Sequence, residues 1–512
     1  MHSRSHRTQA ASASLGRGLL VGGLALAALA TAVPARAKVN PGEAIAFPAK
    51  SRGSLLFFLD AVSFPPAEAA GARTELYLRV PGEELAYADS AAGRAEAGRA
   101  LLRARVRAKD ARGHTVVDEE RQLDVPPAER LASGFSLGHV VLLPVSLPSG
   151  WCELSLTLLD LRSQRVGLAY MMKGKEKSHR SGKVEGTLRV PDWSAAGPQL
   201  SEIEPAWSIR GGEAPGPFAR AGLTVLPHPT RTYGLYAATA RAYYEIARPD
   251  RDATTLTVSA RVLDPQGHVL LTADPDSLRA GSRGGQVAFD VSTLAAGVYD
   301  LEVSVAGGAA VTARRTRINV AWRPESWQAD PRQLLDEAHL LLDDEEKEDA
   351  FAVLSVGEQE AYLDRYWKER DPTPSTAANE ERDLFYQRIA YTNAHFGTAG
   401  IEKGMDSDRG RTYIRFGEPD EIRREVMPTN GLQVDDIARD IAREQGFDQA
   451  VPLRGRGVGG DMRSFEVWTY DRLLHAREGS TQGVGPRHPM TRVFVFVDEE
   501  GYGNYVLRYT ND

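Results

Sequence analysis

A chain of 512 residues is too long for one ordinary domain and implies about two to four. With 42% hydrophobic and 26% charged residues the composition is globular and can fill several cores without implying disorder or membrane spans. A net charge of -7 argues against holding nucleic acid or anionic lipid by bulk charge.

The first element is a leader. Arg4, Arg7 and Arg17 precede an apolar run from Leu19 to Val33, and Ala35-Arg36-Ala37 follows as a small-x-small cleavage pattern. This three-part layout predicts a secretory signal peptide over 1–37, because the apolar run is short for a spanning helix. Its removal takes away four arginines and no acid, moving the net charge from -7 to -11. Export to the periplasm or beyond the cell is therefore expected. No later window approaches about eighteen uninterrupted apolar residues, so no transmembrane segment is expected in the mature chain. Cys152 is the single cysteine, and its alternating neighbours predict a buried, inert thiol.

From 38 to 196 the pattern is one short strand after another. "LLRARVRAKDARGHTVVDEE" reads as a hairpin turning near Asp110–Gly113. "GKEKSHRSGK" (174–183) reads as a solvated basic loop. A second β-rich region spans 197–321, with a type I hairpin turn at Asp264-Pro265-Gln266-Gly267. The Gly/Pro/Ala-rich 210–222 stretch reads as loop or linker near the junction. These regions predict two tandem antiparallel β-sandwich (Ig-like) domains.

At Trp322 the pattern becomes helical. "PRQLLDEAHLLLDDEEKEDAFAVL" reads as one helix with Leu334, Ala338, Leu341 and Leu342 on one face. Ser355 and Glu358 have capping-box spacing and open a second helix, which the Asp371-Pro372-Thr373-Pro374 stretch stops. A third covers "AANEERDLFYQRIAYTNAHFG", its stripe formed by Leu384, Phe385, Ile389, Tyr391 or Thr392, and Phe396. "RTYIRF", "FEVWTYD", "TRVFVFVD" and "NYVLRYT" then alternate as four strands of one antiparallel meander. Insertions at about 423–463 and 472–490 interrupt it. The prediction for 322–512 is an α+β domain, three helices then an antiparallel sheet, in a chain that is multidomain and β-rich.

"GMDSDRGRTYIRFGEPDEI" joins the helices to that sheet. It resembles the GWxTD domain family through Gly404, Asp408, Arg409, Gly410, Arg411, Tyr413, Ile414, Gly417, Pro419 and Asp420. Met405 stands at the naming tryptophan and Ser407 at the threonine. The resemblance covers about 330–510 and implies an exported bacterial protein; the family brings no established activity with it. Taken by their chemistry, Asp406-Ser407-Asp408-Arg409-Gly410 look like half of a calcium loop. The twelfth position from Asp406 is Gly417, which offers no side-chain ligand. A structural role is preferred: glycines for unusual backbone angles, Asp408 for nearby amides, and Glu418-Pro419-Asp420 for a turn. Arg409 or Arg411 is expected to pair with Asp371 or Asp420.

Neither H-x-H nor H-E-x-x-H occurs, and "GRGVGG" lacks the Lys-Ser/Thr of a phosphate loop. No metal and no cofactor is expected. The expected function is a non-enzymatic binding or scaffold protein of the cell envelope, with an envelope or extracellular protein as partner and no nucleic acid. The alternative is a polymer-directed hydrolase using Asp408, Asp420 and His395.

Overall fold

The computed structural model describes residues 42–510 apart from 67–71, 89–97, 127, 131–134, 164–178, 195–198, 213–215, 221, 248–254, 280–283, 308–309, 329–331, 343, 399–400, 402, 427–462 and 471–491. The predicted leader and the bulk of both predicted insertions lie outside the described residues.

Ten strands build the first region: β1 (Ala49–Lys50), β2 (Arg52–Gly53), β3 (Phe58–Phe64), β4 (Ala72–Val80), β5 (Ala100–Lys109), β6 (Thr115–Val125), β7 (Glu129–Arg130), β8 (Ser136–Leu147), β9 (Gly150–Asp160) and β10 (Arg180–Val190). They form two five-stranded sheets, β1-β3-β4-β8-β7 and β2-β10-β9-β5-β6. Period-two alternation decides which side chains go inside. Ala100, Leu102, Ala104, Val106 and Ala108 of β5 are buried, as are Cys152, Leu154, Leu156 and Leu158 of β9. The antiparallel register sets Val106 opposite Leu156 and Ala104 opposite Leu158. The Cys152 thiol is buried and unpaired, and burial raises its pKa. At the basic stretch 174–183, residues from Arg180 onward are strand rather than loop, because they continue the β9 pairing.

The second region supplies β11 (Gln199–Leu200), β12 (Glu204–Gly211), β13 (Ala219–Arg220), β14 (Leu223–Pro227), β15 (Thr232–Gly234), β16 (Thr239–Ala247), β17 (Thr255–Leu263), β18 (Val269–Arg279), β19 (Gly284–Asp290), β20 (Gly297–Gly307) and β21 (Ala310–Ala321). One sheet runs β11-β16-β12-β14-β13, with β19 beside β16; the other runs β15-β21-β20-β17-β18. All pairings are antiparallel except β15 with β21. Both predicted hairpin turns are built alike. The Gly113 amide donates to the Asp110 carbonyl and that of Gly267 to Asp264, each at 2.9 Å. The 210–222 stretch is not an interdomain linker. Of its described residues, Arg210 and Gly211 pair with β14, and β13 pairs back onto β14.

The sandwiches meet through Val62, Phe64, Tyr77, Ala206, Val225 and Tyr243, which form one buried apolar cluster. Asp60 and Arg231 add a buried bidentate pair across this contact. Phe135, Trp207, Tyr236 and Trp327 form an aromatic cluster that draws on both sandwiches and on the segment after β21. Phe135 stacks on Tyr236 at 4.7 Å, and Trp327 is edge-on to both.

The C-terminal region contains α1 (Arg332–Leu341), α2 (Glu345–Ala352), α3 (Val356–Glu369), α4 (Glu380–His395) and α5 (Asp408–Phe416). The sheet β22 (Glu421–Glu425), β23 (Phe465–Tyr470), β24 (Arg492–Asp498) and β25 (Tyr505–Thr510) is an antiparallel meander. Two expectations are corrected. The single helix expected over 331–354 is two, because the Asp344 side chain accepts from the Glu346 amide at 3.0 Å and restarts the helix. More important, "RTYIRF" is not a strand but most of α5. Six alternating residues fit either period; the flanking Ser407 N-cap and Gly417, at φ +83°, fit a helix. The capping-box glutamate behaves as expected, accepting the Ser355 amide at 2.9 Å. Where the helical region joins β21, the buried Glu360 carboxylate accepts the Trp322 and Arg323 amides at 2.8 and 3.1 Å. Among the described residues no helix is long and apolar enough to cross a membrane.

Candidate functional site

The Gly404–Asp420 stretch folds by close backbone approach. A Cβ on Gly404 would stand 1.9 Å from the Thr392 carbonyl oxygen of α4, and one on Gly410 would stand 2.0 Å from the Gly404 oxygen. Only glycine fits at either place. Between them, the Ser407 hydroxyl accepts from the Gly410 amide at 3.0 Å and donates to the Gly404 carbonyl at 2.7 Å. Serine and threonine share this capping chemistry, so the departure at 407 preserves the cap. Ser407→Ala should cost about 1 kcal/mol and Ser407→Thr only a few tenths, read as shifts in the urea midpoint.

Met405 is buried with Trp367, Phe385 and Ile414. Its amide donates to the Asn393 side-chain oxygen at 3.0 Å. The unbranched thioether fills the place where the family pattern has an indole. Met405→Ala should cost about 2–5 kcal/mol by opening a cavity, measured by thermal unfolding.

The charged residues tie α5 to the sheet. One oxygen of Asp408 accepts from Arg411 at 2.7 Å, and the other accepts the Leu507 amide of β25 at 2.7 Å. Arg409 is buried, donating to Glu466 at 3.3 Å and to the Gly503 carbonyl at 3.2 Å. Its guanidinium lies 4.2 Å from the Tyr505 ring centre and 5.0 Å from that of Phe396. Glu466, 3% exposed, also accepts from Arg424 at 2.9 Å and from the Trp468 indole at 3.0 Å. Asp498 fixes the turn that presents the Gly503 carbonyl, accepting the Gly501 and Gly503 amides at 3.0 and 2.8 Å. At the far end of α5, Arg388 donates to the Ile414 carbonyl at 2.9 Å and lies over Gly417. Pro419 is buried, and the Asp420 amide joins the Thr469 carbonyl at 2.9 Å to start β22.

All nine predicted motif residues, Gly404, Asp408, Arg409, Gly410, Arg411, Tyr413, Gly417, Pro419 and Asp420, thus sit at one helix–sheet junction. The expected arginine partners were different ones. Arg409 takes Glu466, and Arg411 takes Asp408 on its own helix; Asp371 accepts the Thr373 amide of its own turn at 2.9 Å. Among the described residues no group of three His, Cys, Asp or Glu is placed to hold a metal. Glu466, Arg388, Asn393 and Asp498 escaped the sequence reading. The only available signal for Glu466 was an acid alternating with aromatic residues in "FEVWTYD".

The surface beside this junction is aromatic. Tyr413 stacks on Tyr391 at 4.5 Å, and Tyr391 stacks on His395 at 4.1 Å. Tyr391 is 41% exposed and His395 is also exposed; its Nδ1 lies 2.8 Å from the Tyr391 carbonyl. A concavity of about 470 Å³ lies between the second sandwich and α3, lined by Leu270, Tyr299, Glu358, Tyr362 and Arg365 among others.

A family model described as the GWxTD domain matches residues 324–429. No curated protein matches the chain. Solved structures give distant likenesses. Escherichia coli alpha-2-macroglobulin activated by porcine elastase is 9% identical with a TM-score of 0.17, over 52% of this chain and 23% of that one. Bifidobacterium dentium beta-glucuronidase complexed with coumarin-3-O-glucuronide is 13% identical with a TM-score of 0.16, over 49% of this chain and 39% of that one. The chain therefore spans well under half of either.

Proposed function

Residues 324–429 form a GWxTD domain, and on that premise we propose an exported, non-enzymatic binding or scaffold protein of the bacterial cell envelope. Its two sandwiches carry the C-terminal domain as the recognition module for an envelope or extracellular protein. One observation carries this reading: the charges of Asp408 and Arg409 in the motif are met from within the domain. Asp408 is occupied by Arg411 and the Leu507 amide, and Arg409 by Glu466 and Gly503. What stands outward beside the motif is the stack of its Tyr413 on Tyr391 and His395 of α4, an amphipathic surface of the kind that anchors protein contacts.

Affinity capture from envelope membranes tests it. The wild type should recover a defined partner that is lost both with a chain lacking 322–512 and with Tyr391→Ala/His395→Ala. Equal recovery by the truncated chain would overturn the recognition role. Turnover of an envelope polymer that disappears in Asp408→Asn would establish the hydrolase reading instead.

A further inference from the structure

The contact between the sandwiches holds a second, unassigned cluster of titratable groups. Glu204 of β12 is wholly buried, and neither of its carboxylate oxygens receives a hydrogen bond. Its one close cation is Arg220 of β13, whose Nε lies 3.8 Å from an Oε. The other two nitrogens of that arginine are committed elsewhere, Nη2 to Glu75 of β4 and Nη1 to the Pro217 and Ala219 carbonyls, each of those carbonyls at 3.0 Å, while Nε makes no hydrogen bond. Tyr77 donates its hydroxyl hydrogen to Glu75 at 2.7 Å, and the same hydroxyl also faces Glu204. Arg73 of β4 divides itself between Glu75 at 3.1 Å and Glu245 of β16 at 2.6 Å. Tyr243 of β16, 3.4 Å from Glu245, completes the surroundings.

Three acids (Glu75, Glu204 and Glu245) thus face two arginines (Arg73 and Arg220). An ionised carboxylate without hydrogen bonds in such a place is costly, whereas a protonated one is tolerated. We propose that the contact between the two sandwiches is a proton-held interlock: it is closed while Glu204 carries a proton and loosens when Glu204 ionises, turning a fixed elbow into a hinge.

The electrostatics agree in direction. Burial, with the charges of Glu75 and Glu245 adding to it, pushes the Glu204 pKa up from 4.5 to about 8, against the opposing pull of Arg220 and of the Tyr77 hydroxyl. Once Glu204 is exposed to water it releases its proton near the ordinary value. Between about pH 5 and pH 8 the closed state therefore binds one more proton than the open state, so closure weakens as pH rises through that window. Below the window the contribution is fully present, and above it no more is lost.

Hydrogen exchange at the β4 and β16 amides across a pH 5 to 9 series tests this, after correction for the intrinsic pH dependence of exchange. The opening constant of the wild type should rise by up to about tenfold per pH unit within the window. Glu204→Gln, which copies the protonated shape, should abolish that rise and remain closed at pH 9. Infrared difference spectra of the wild type give an independent reading. A protonated buried carboxyl should be present at pH 6 and absent at pH 9. A rise that persists in Glu204→Gln, or no protonated carboxyl in the wild type at pH 6, overturns the interlock.

Discussion

Gly404→Ala is expected to destabilise the C-terminal domain by about 3 kcal/mol or more, lowering its urea midpoint without changing the sandwiches. A single methyl is enough because the atom it meets is backbone: the Thr392 carbonyl oxygen, 1.9 Å from the ideal Cβ position, near the C-terminal end of α4. No rotamer change relieves such a clash; α4 and the turn before α5 must separate. Gly410→Ala should behave alike, since its Cβ would meet the Gly404 carbonyl at 2.0 Å. Gly216→Ala is the control, with nothing within 4 Å of its Cβ, and should shift the midpoint negligibly. If Gly404→Ala unfolds together with the wild type, the close packing described for α4 and α5 is wrong.

Glu466→Ala is expected to be nearly as damaging, at about 3–5 kcal/mol, because it leaves the Arg409 guanidinium buried and short of its counter-charge. The loss of the Trp468 indole's acceptor acts in the same direction. Arg424 also contacts Glu466, but its side chain is 62% exposed, so Arg424→Ala should change stability by no more than about 1 kcal/mol. The pair is best resolved by a double-mutant cycle. Arg409→Met combined with Glu466→Met should cost clearly less than the sum of the single changes, because neither partner is then left charged and alone. Additive costs would mean that the 3.3 Å contact contributes no coupling.

Much of this architecture is legible in the sequence, and the failures have physical causes. The sandwiches can be read because each strand buries one face, so that Leu102, Ala104 and Val106 announce both the period and the inner side. The turns at Asp110 and Asp264 can be read because aspartate and glycine are there for backbone reasons. Residues 411–416 mislead because a helix two and a half turns long offers too few residues to separate a period of two from one of 3.6. The caps Ser407 and Gly417 carried the information that the alternation did not. Long-range partners were harder still. Arg409 and Glu466 are 57 positions apart, and nothing local to either names the other. The interlock residues have the same character: Glu75 and Arg220 meet only because two sandwiches dock.

The aromatic cluster has a consequence for how the chain is made. Phe135, Tyr236 and Trp327 come from three successive regions, and the cluster needs all of them. A nascent chain is released from its N-terminal end, so Phe135 and then Tyr236 lack their last partner until Trp327 has followed. Until then the sides of Phe135 and Tyr236 that Trp327 meets are uncovered, and afterwards both rings are half-buried against it. A single indole near the start of the last region thus completes the cluster before the helices and sheet that follow it are made.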